Sequence, residues 1–322
     1  MAMQISGVTI QGGMNILPAG SGGSGGGSYS FQGSAFGYAS GGGTNHQAGG
    51  QQTNVIQKYS FSSDGNATDV GDLTISVWFS AGQTSSVSGY GSGGGTPTVI
   101  DSIYKFPFSS DGNATDVGDM TVGRTGSAGQ SSATSGYSSG GRTSDPINTI
   151  DKIPFAADAN ASDVGDLTLA RRSITGGQSS SDNGYSAGGY DSSELNTIDK
   201  FPFASDGNAT DVGDLTTTTF VTSGQSSTTN GYVSGGTFTN TNIEKFPFAS
   251  DNNAIVIGDI IQARYGSSGT SSNVSGYVAG GTNSSNSADT TRIEKFSFAS
   301  DGNSSDVGDL LQGVYGSTGT QV

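Results

Sequence analysis

The sequence lacks cysteine and carries little positive charge, and both absences restrict its chemistry. Without cysteine there is no disulfide framework and no thiolate chemistry. The 12 Lys and Arg residues stand against 27 Asp and Glu residues, which gives a formal net charge of −15. Because an acidic chain without a basic cluster repels phosphate, we expect neither nucleic acid nor an anionic membrane as a partner.

Histidine and long apolar runs are also scarce. His46 is the single histidine and lies in a Gly/Gln-rich stretch, so a Ser-His-Asp arrangement would depend on a loop residue. No stretch approaches the roughly 20 apolar residues of a membrane-spanning helix. Residues 1–4 have neither the positive charge nor the apolar run of a signal peptide. We therefore expect no membrane insertion and no ordinary secretory route.

What the sequence does contain is a repeat marked by a lysine inside an apolar strand. The intervals between successive lysines are 47, 47, 48, 45 and 50 residues, and the lysines are Lys58, Lys105, Lys152, Lys200, Lys245 and Lys295. A period of about 40–50 residues is typical of propeller blades. Helical solenoids are excluded, because Gly, Ser, Thr and Asn dominate and no apolar stripe of 3.6-residue period occurs. The sequence predicts an all-β, six-bladed propeller with four strands per blade.

The two ends of the repeat array complement one another. Five of the lysines are followed after 32 or 33 residues by the tyrosine of a Gly-Tyr strand. No such strand follows Lys295, but an equivalent one at residues 37–42 precedes Lys58. We expect the C-terminal strand to complete the N-terminal blade, which removes the free edges of an open sheet.

Proline in the lysine strand bears on its place in the blade. Four copies carry it: Pro107, Pro154, Pro202 and Pro247. Because proline cannot donate to a strand ladder, we expect one side of this strand to be an unpaired edge, as in a strand near the outer rim.

Residues 1–30 lie outside the repeats and form a separate unit from the propeller at residues 31–322. Ile5, Val8, Ile10 and Ile16 give this unit a strand-like apolar character, and a Gly/Ser run at residues 19–28 follows as a tether. An apolar arm on a tether favours attachment to other proteins by strand addition. A frayed terminus is the alternative.

The order of motifs in each repeat resembles that of the kelch repeat. A Gly-Gly pair after an aromatic strand is followed by an Ile-Glu-Lys-Phe type of strand and then by Gly-Asp-Leu. Arg124, Arg171 and Arg264 stand where kelch repeats often carry arginine, whereas Val77, Thr219 and Val314 do not match. The resemblance covers residues 37–322 in outline and implies a propeller fold.

A second resemblance is to repeat proteins of marine tailed phages that infect cyanobacteria. It lies in tandem copies of runs like residues 200–215 and in the opening at residues 5–10. This resemblance implies a virion component at the tail or on the capsid surface.

The densest polar motif is a triplet of aspartates after each lysine strand, as in Asp206, Asp211 and Asp214. Such carboxylates, together with Asn and backbone carbonyls, are ligands that Ca²⁺ accepts. The alternative is structural: the aspartates cap the turn, accept bonds from backbone amides or pair with the lysine. The fifth copy has Val256 in place of the middle aspartate, which favours the structural alternative. We expect no other cofactor.

The connection between Gly-Gly and the lysine strand varies from copy to copy and carries His46, Tyr190 and Phe238. Variable loops on a constant scaffold are where binding usually occurs. Exposed aromatic rings there can stack on sugars of a host surface. The alternative is that these are ordinary variable loops without a binding role. Because the aspartates repeat identically, whereas an active site breaks symmetry, we expect no enzyme.

These features predict a virion protein that joins other virion proteins through residues 1–30 and attaches to a host-surface glycan or receptor. Two alternatives remain: a decoration protein that binds only other virion proteins, and a polysaccharide-degrading enzyme.

Overall fold

The four strands expected from each repeat are present, and each set pairs into one antiparallel sheet. The computed structural model describes residues 31–44, 50–174, 176–237, 239–283, 285 and 287–322. Six such sheets form the blades of a propeller, as predicted. No helix in the described part of the chain is long and apolar enough to cross a membrane.

The inner two strands of the blades surround the axis. The innermost strands contact one another around the ring and are β28 (Thr318–Gln321), β6 (Ala81–Thr84), β10 (Ala128–Ser131), β14 (Gly177–Ser179), β18 (Ser223–Ser226) and β23 (Ser268–Ser271). The second strands carry the Gly-Tyr motif and are β1 (Phe36–Ser40), β7 (Ser88–Ser92), β11 (Ser135–Ser139), β15 (Asn183–Ala187), β19 (Asn230–Ser234) and β24 (Ser275–Ala279).

The outer two strands carry the lysine and the aspartates. The third strands are β4 (Val55–Ser60), β8 (Ser102–Pro107), β12 (Thr149–Pro154), β16 (Leu195–Pro202), β20 (Asn242–Pro247) and β26 (Arg292–Ser297). The fourth strands are β5 (Thr68–Asp72), β9 (Thr115–Asp119), β13 (Ser162–Asp166), β17 (Thr210–Thr219), β21 (Ile255–Asp259) and β27 (Ser305–Asp309).

The expected closure is confirmed. β28 pairs with β1 in antiparallel register, with Thr320 opposite Tyr38. The amide of Val322 also donates to the carbonyl of Phe36 at 2.9 Å. The first blade therefore contains strands from both ends of the described chain, and the ring has no unpaired junction.

The predicted position of the lysine strand was wrong. This strand is the third of four and pairs on both sides, so it does not form the outer rim. Proline is tolerated because it occupies the last position of the strand. In the third blade, for example, Pro154 pairs with Ser135 on the inner side, whereas pairing with the outer strand already stops at Lys152.

The apolar core lies between adjacent blades. In each interface the tyrosine of the Gly-Tyr motif stacks on a phenylalanine of the next blade, with ring centroids 4.7–5.0 Å apart. The pairs are Tyr38–Phe108, Tyr90–Phe155, Tyr137–Phe203, Tyr185–Phe248, Tyr232–Phe298 and Tyr277–Phe61. Because the sixth pair joins the last blade to the first, each of the six interfaces contains one such pair.

The innermost strands approach one another too closely for side chains at one position. A Cβ on Gly129 would lie 2.0 Å from the carbonyl oxygen of Gly82 in the neighbouring blade. Glycine occupies this position in every blade, and the axial channel is correspondingly narrow.

Candidate functional site

The connections between the second and third strands lie on one face of the propeller, which we call the loop face. Among the described residues, five of the six pair with a segment that leads into an innermost strand, as in the bridges Trp78–Gly95 and Arg172–Tyr190. The connection of the first blade also forms a short ladder of its own, β2 (Gly43–Thr44) with β3 (Gln51–Gln52). In the sixth blade the connection contributes β25 (Thr282–Asn283), which pairs with β22 (Arg264–Tyr265) in the segment before the innermost strand. The variable segments of the sequence therefore surround the axis at this face.

A ring of backbone hydrogen bonds surrounds the axis on the loop face, and we call its residues 79, 126, 173, 221, 266 and 316 the collar. The bonds measure 2.6–3.2 Å and run from Phe79 to Gly316, Gly126 to Phe79, Ile174 to Gly126, Val221 to Ser173, Gly266 to Val221 and Gly316 to Gly266, donor first. Each bond joins two neighbouring blades. The collar therefore fixes the positions of the side chains that project from it.

The collar residues adopt a left-handed backbone that favours glycine. Gly126, Gly266 and Gly316 have φ between 64° and 70°, and the other three residues share this conformation despite having side chains. Phe79 has φ 52° and Val221 has φ 57°. Left-handed backbone costs a residue with a Cβ about 1–2 kcal/mol, most of all a bulky or β-branched one. Such strain concentrates at functional sites, so these two residues mark the axial mouth as a candidate.

A cavity of about 280 Å³ opens at this mouth. The described residues that line it are almost all aromatic or aliphatic and are Trp78, Phe79, Phe220, Val221, Thr237, Tyr265 and Tyr315. Phe79 and Val221 are three collar positions apart, so the cavity spans the axis. It is thus assembled from blades on opposite sides of the ring.

The aromatic rings of the cavity are inclined to one another. The Trp78 and Tyr315 rings are 5.6 Å apart at 53°, and those of Phe79 and Tyr315 are 6.0 Å apart at 65°. Burial, together with the nearby Asp289 carboxylate, raises the pKa of Tyr315 to about 12. Tyr315 therefore remains a neutral ring with a polar hydroxyl at physiological pH.

Tyr190 lies on the loop face, where the sequence placed it, beside the wall of this cavity. Its ring is 5.5 Å from that of Phe220, and the Arg172 guanidinium lies 5.0 Å from its centroid. This cation–π contact holds the Tyr190 ring against the mouth. His46 and Phe238, the other two candidates from the variable connections, lie outside the described residues.

The chain enters the described region on the opposite face. The side-chain amide of Gln32 donates to the Ser226 carbonyl at 3.0 Å, and the side-chain amide of Gln321 donates to the Phe31 carbonyl at 2.8 Å. Ser226 and Gln321 end their innermost strands, whereas the collar residues precede these strands. The channel between the two faces holds about 30 Å³, the volume of about one water. Ile5, Val8, Ile10 and Ile16, with the rest of residues 1–30, lie outside the described residues.

The first aspartate of each triplet forms an ion pair with the lysine of the preceding blade. The six pairs measure 2.5–2.9 Å and are Lys58–Asp111, Lys105–Asp158, Lys152–Asp206, Lys200–Asp251, Lys245–Asp301 and Lys295–Asp64. The structural alternative for this aspartate therefore describes the turns well. The partner belongs to the neighbouring blade, which the sequence did not indicate.

The other two aspartates of the triplet belong to separate hydrogen-bond arrangements. The Asp211 carboxylate accepts from the Gly213 amide at 3.1 Å, and the Asp214 amide donates to Asn253 of the next blade at 3.1 Å. The structure does not bring Asp206, Asp211 and Asp214 together as one ligand set. Within the described ranges no group of three acidic or histidine side chains is suited to a metal ion. Calcium binding remains a prediction for experiment.

The arginines of the kelch-like pattern are buried between blades. Each pairs with a buried carboxylate of the next blade at 3.1–3.2 Å: Arg124 with Asp151, Arg171 with Asp199 and Arg264 with Glu294. Burial lowers the pKa of Arg264 to about 10, although Glu294 opposes the shift, so the guanidinium stays charged at neutral pH. These arginines hold the interfaces and do not line the cavity.

Sequence reasoning missed the aromatic residues of the cavity. Trp78, Phe220, Tyr265 and Tyr315 are equivalent to Thr125 and Arg172 in the other repeats, so the repeat does not require aromatic side chains there. Aligning the six copies position by position would have revealed this departure from symmetry.

No protein-family model and no curated protein matches this chain. The six-bladed propeller is observed, and the kelch and phage resemblances stay predictions.

Proposed function

We propose that the chain is a virion protein that attaches to the host by binding, without enzymatic activity. Its loop face would engage a host-surface glycan or receptor, and residues 1–30 would join other virion proteins. The observation that carries this proposal is the opposite placement of two features: the aromatic mouth on one face, and the entry of the chain at Phe31 and Gln32 on the other. The phage-like repeat supplies the setting.

The mouth has the features of a binding site on a rigid scaffold. It is concave, largely apolar and framed by connections that differ between blades, whereas the blades themselves repeat. The collar bonds fix its shape before any ligand arrives. Binding to such a preformed surface requires little ordering of the protein.

Attachment is tested by measuring binding of the purified protein to host cells. Tyr190→Ala removes an aromatic ring from the loop face, and Val274→Ala removes a side chain that is 67 % exposed in the hairpin turn of the opposite face. We expect Tyr190→Ala to weaken binding and Val274→Ala to leave it unchanged. Equal effects of the two variants would contradict the assignment of the loop face.

Anchoring is tested by deleting residues 1–28. We expect a folded propeller that no longer joins the particle, and retained incorporation would overturn the anchoring role. A full-length protein that joins particles but does not bind host cells would instead support the decoration alternative.

A further inference from the structure

The lining of the axial cavity suits a ligand that needs few hydrogen bonds. Of the seven described residues that line it, only Thr237 and the two tyrosines carry a hydroxyl, and Trp78 adds an indole N–H. A sugar brings several hydroxyl groups, and each of these loses free energy when buried without a partner. The cavity is therefore a poor site for a neutral sugar and a good one for a group without N–H or O–H donors.

The volume of the cavity suits a compact group. Pockets that enclose whole small molecules measure about 300–1,000 Å³, and this cavity, at about 280 Å³, lies just below that range. A head group of a larger ligand fits this space better than a segment of a polymer does.

Three aromatic rings of the lining meet at an angle. Trp78, Phe79 and Tyr315 are mutually tilted by 46–65°, so they form a corner and do not stack flat. The face of an aromatic ring carries negative potential and attracts cations, and Trp does so most strongly. Trp78 is the single tryptophan of the chain.

A carboxylate lies near two rings of the cavity, whereas the Arg172 guanidinium lies on Tyr190, which is not among the residues that line it. None of the described residues that line the cavity is a Lys or an Arg. The Asp289 carboxylate, which accepts a hydrogen bond from Thr282 at 2.8 Å, is close enough to raise the pKa of both Tyr265 and Tyr315, after burial, the larger cause. The net charge of −15 favours approach of a cation to the whole surface.

We propose that this cavity binds a quaternary ammonium group, such as the trimethylammonium head of a choline-containing ligand. Such a group has no hydrogen-bond donor, is weakly hydrated and is attracted to aromatic faces. The inference rests on the proposed binding role of the loop face and names the ligand class for it. A primary ammonium should bind more weakly by the same argument, because its three donors would lose their water partners in the cavity.

The test is a titration of the full-length protein with choline and with its neutral carbon isostere, 3,3-dimethylbutan-1-ol. The two molecules share shape and differ in charge, so their comparison isolates the attraction of the cation to the rings. We expect choline to bind about tenfold more tightly than the isostere, and ethanolamine to bind more weakly than choline. Equal affinity for choline and the isostere, or no binding of choline, would overturn the proposal.

Two variants connect that affinity to the cavity. Trp78→Phe keeps a ring in place with a weaker face, and Asp289→Asn removes the charge but keeps an acceptor for Thr282. We expect each to weaken choline binding several-fold and to leave binding of the isostere unchanged. Lys200→Ala, far from the cavity, is the control and should change neither.

A competition assay separates this proposal from the attachment role. If the protein binds host cells and choline does not compete, the ligand class is wrong and the attachment role stands. If the protein binds choline but not host cells, the cavity assignment stands and the attachment role fails.

Discussion

The ammonium of Lys295 lies 2.6 Å from Oδ1 of Asp64, which joins the sixth blade to the first. The same pairing occurs in the five other interfaces, between residues about one repeat apart in sequence. Closure of the propeller thus gives Lys295 and Asp64, which are far apart in sequence, the same ion-pair geometry as the five pairs that are about one repeat apart.

Loss of the closing ion pair should cost little stability. Lys295 and Asp64 are 28 % and 58 % exposed in their side chains, and solvent screens such pairs to about 0–1 kcal/mol. We expect Lys295→Ala and its matched control Lys200→Ala to lower the free energy of unfolding by similar small amounts, less at high salt. Urea denaturation measures both. A loss of several kcal/mol for Lys295→Ala alone would show that the ion pair, and not the β1–β28 pairing, closes the ring.

Replacing a buried carboxylate that faces an arginine should lower the free energy of unfolding much more than removing an exposed ion pair does. Asp199→Asn leaves the fully buried Arg171 guanidinium without its counter-charge, and we expect a loss of about 3–5 kcal/mol. Glu244 is the equivalent acid of the fifth blade, and among the described residues no Lys or Arg pairs with it, because Thr219 replaces the arginine.

The matched variant Glu244→Gln should therefore be nearly neutral or stabilising. The Glu244 carboxylate accepts from the Thr216 amide at 2.6 Å, and glutamine keeps an acceptor for this bond. Thermal and urea unfolding of both variants give the comparison. A greater loss for Glu244→Gln than for Asp199→Asn would contradict the pairing described here.

Backbone strain in the collar predicts opposite effects of two substitutions. Ser173 has φ 59°, so Ser173→Gly should stabilise the protein by up to about 1 kcal/mol through relief of left-handed strain. Gly126→Ala should destabilise it by about 1–2 kcal/mol, since φ is 70° there. The new Cβ would also lie 3.0 Å from the Ser173 amide nitrogen. If both variants changed the free energy of unfolding in the same direction, the assignment of left-handed strain to the collar would be contradicted.

Alkaline pH should unfold the protein steeply. Burial raises the pKa of Tyr38, Tyr185, Tyr277 and Tyr315 from 10.0 to about 12. Above pH 10 the unfolded chain loses phenolic protons that the folded chain keeps. Because the unfolded state then binds fewer protons than the folded state, the free energy of unfolding falls as pH rises. The stabilisation is complete below pH 10 and is lost on approach to pH 12. Tyrosinate absorbance and circular dichroism, followed together, should change in one transition. Ionisation of all tyrosines near pH 10 without unfolding is the contrary result.

A chelator should leave thermal stability unchanged. The carboxylates of Asp206 and Asp211 already have a lysine and a backbone amide as partners, and these contacts hold the turn without a metal. Melting curves with and without chelator and with added Ca²⁺ provide the measurement. A lower melting temperature in chelator would establish the calcium site.

The sequence by itself determined the number of blades, the strand content and the register in which the ends meet. These follow from features repeated in every copy: the lysine strand, the turn rich in Asp, Gly and Asn, and the Gly-Tyr strand. It also indicated that the aspartates serve the turns, because the repeat survives with Val256.

Only the tertiary structure decided which groups meet between blades and at the axis. A repeat shows what each copy contains but not its partner, so the pairing of Lys152 with Asp206 of the next blade could not be assigned from sequence. The cavity depends on Trp78, Phe220, Tyr265 and Tyr315, which break the repeat and lie far apart in the chain. They come together because the six backbone hydrogen bonds of the collar hold their segments side by side around the axis. This arrangement exists only when the ring is closed.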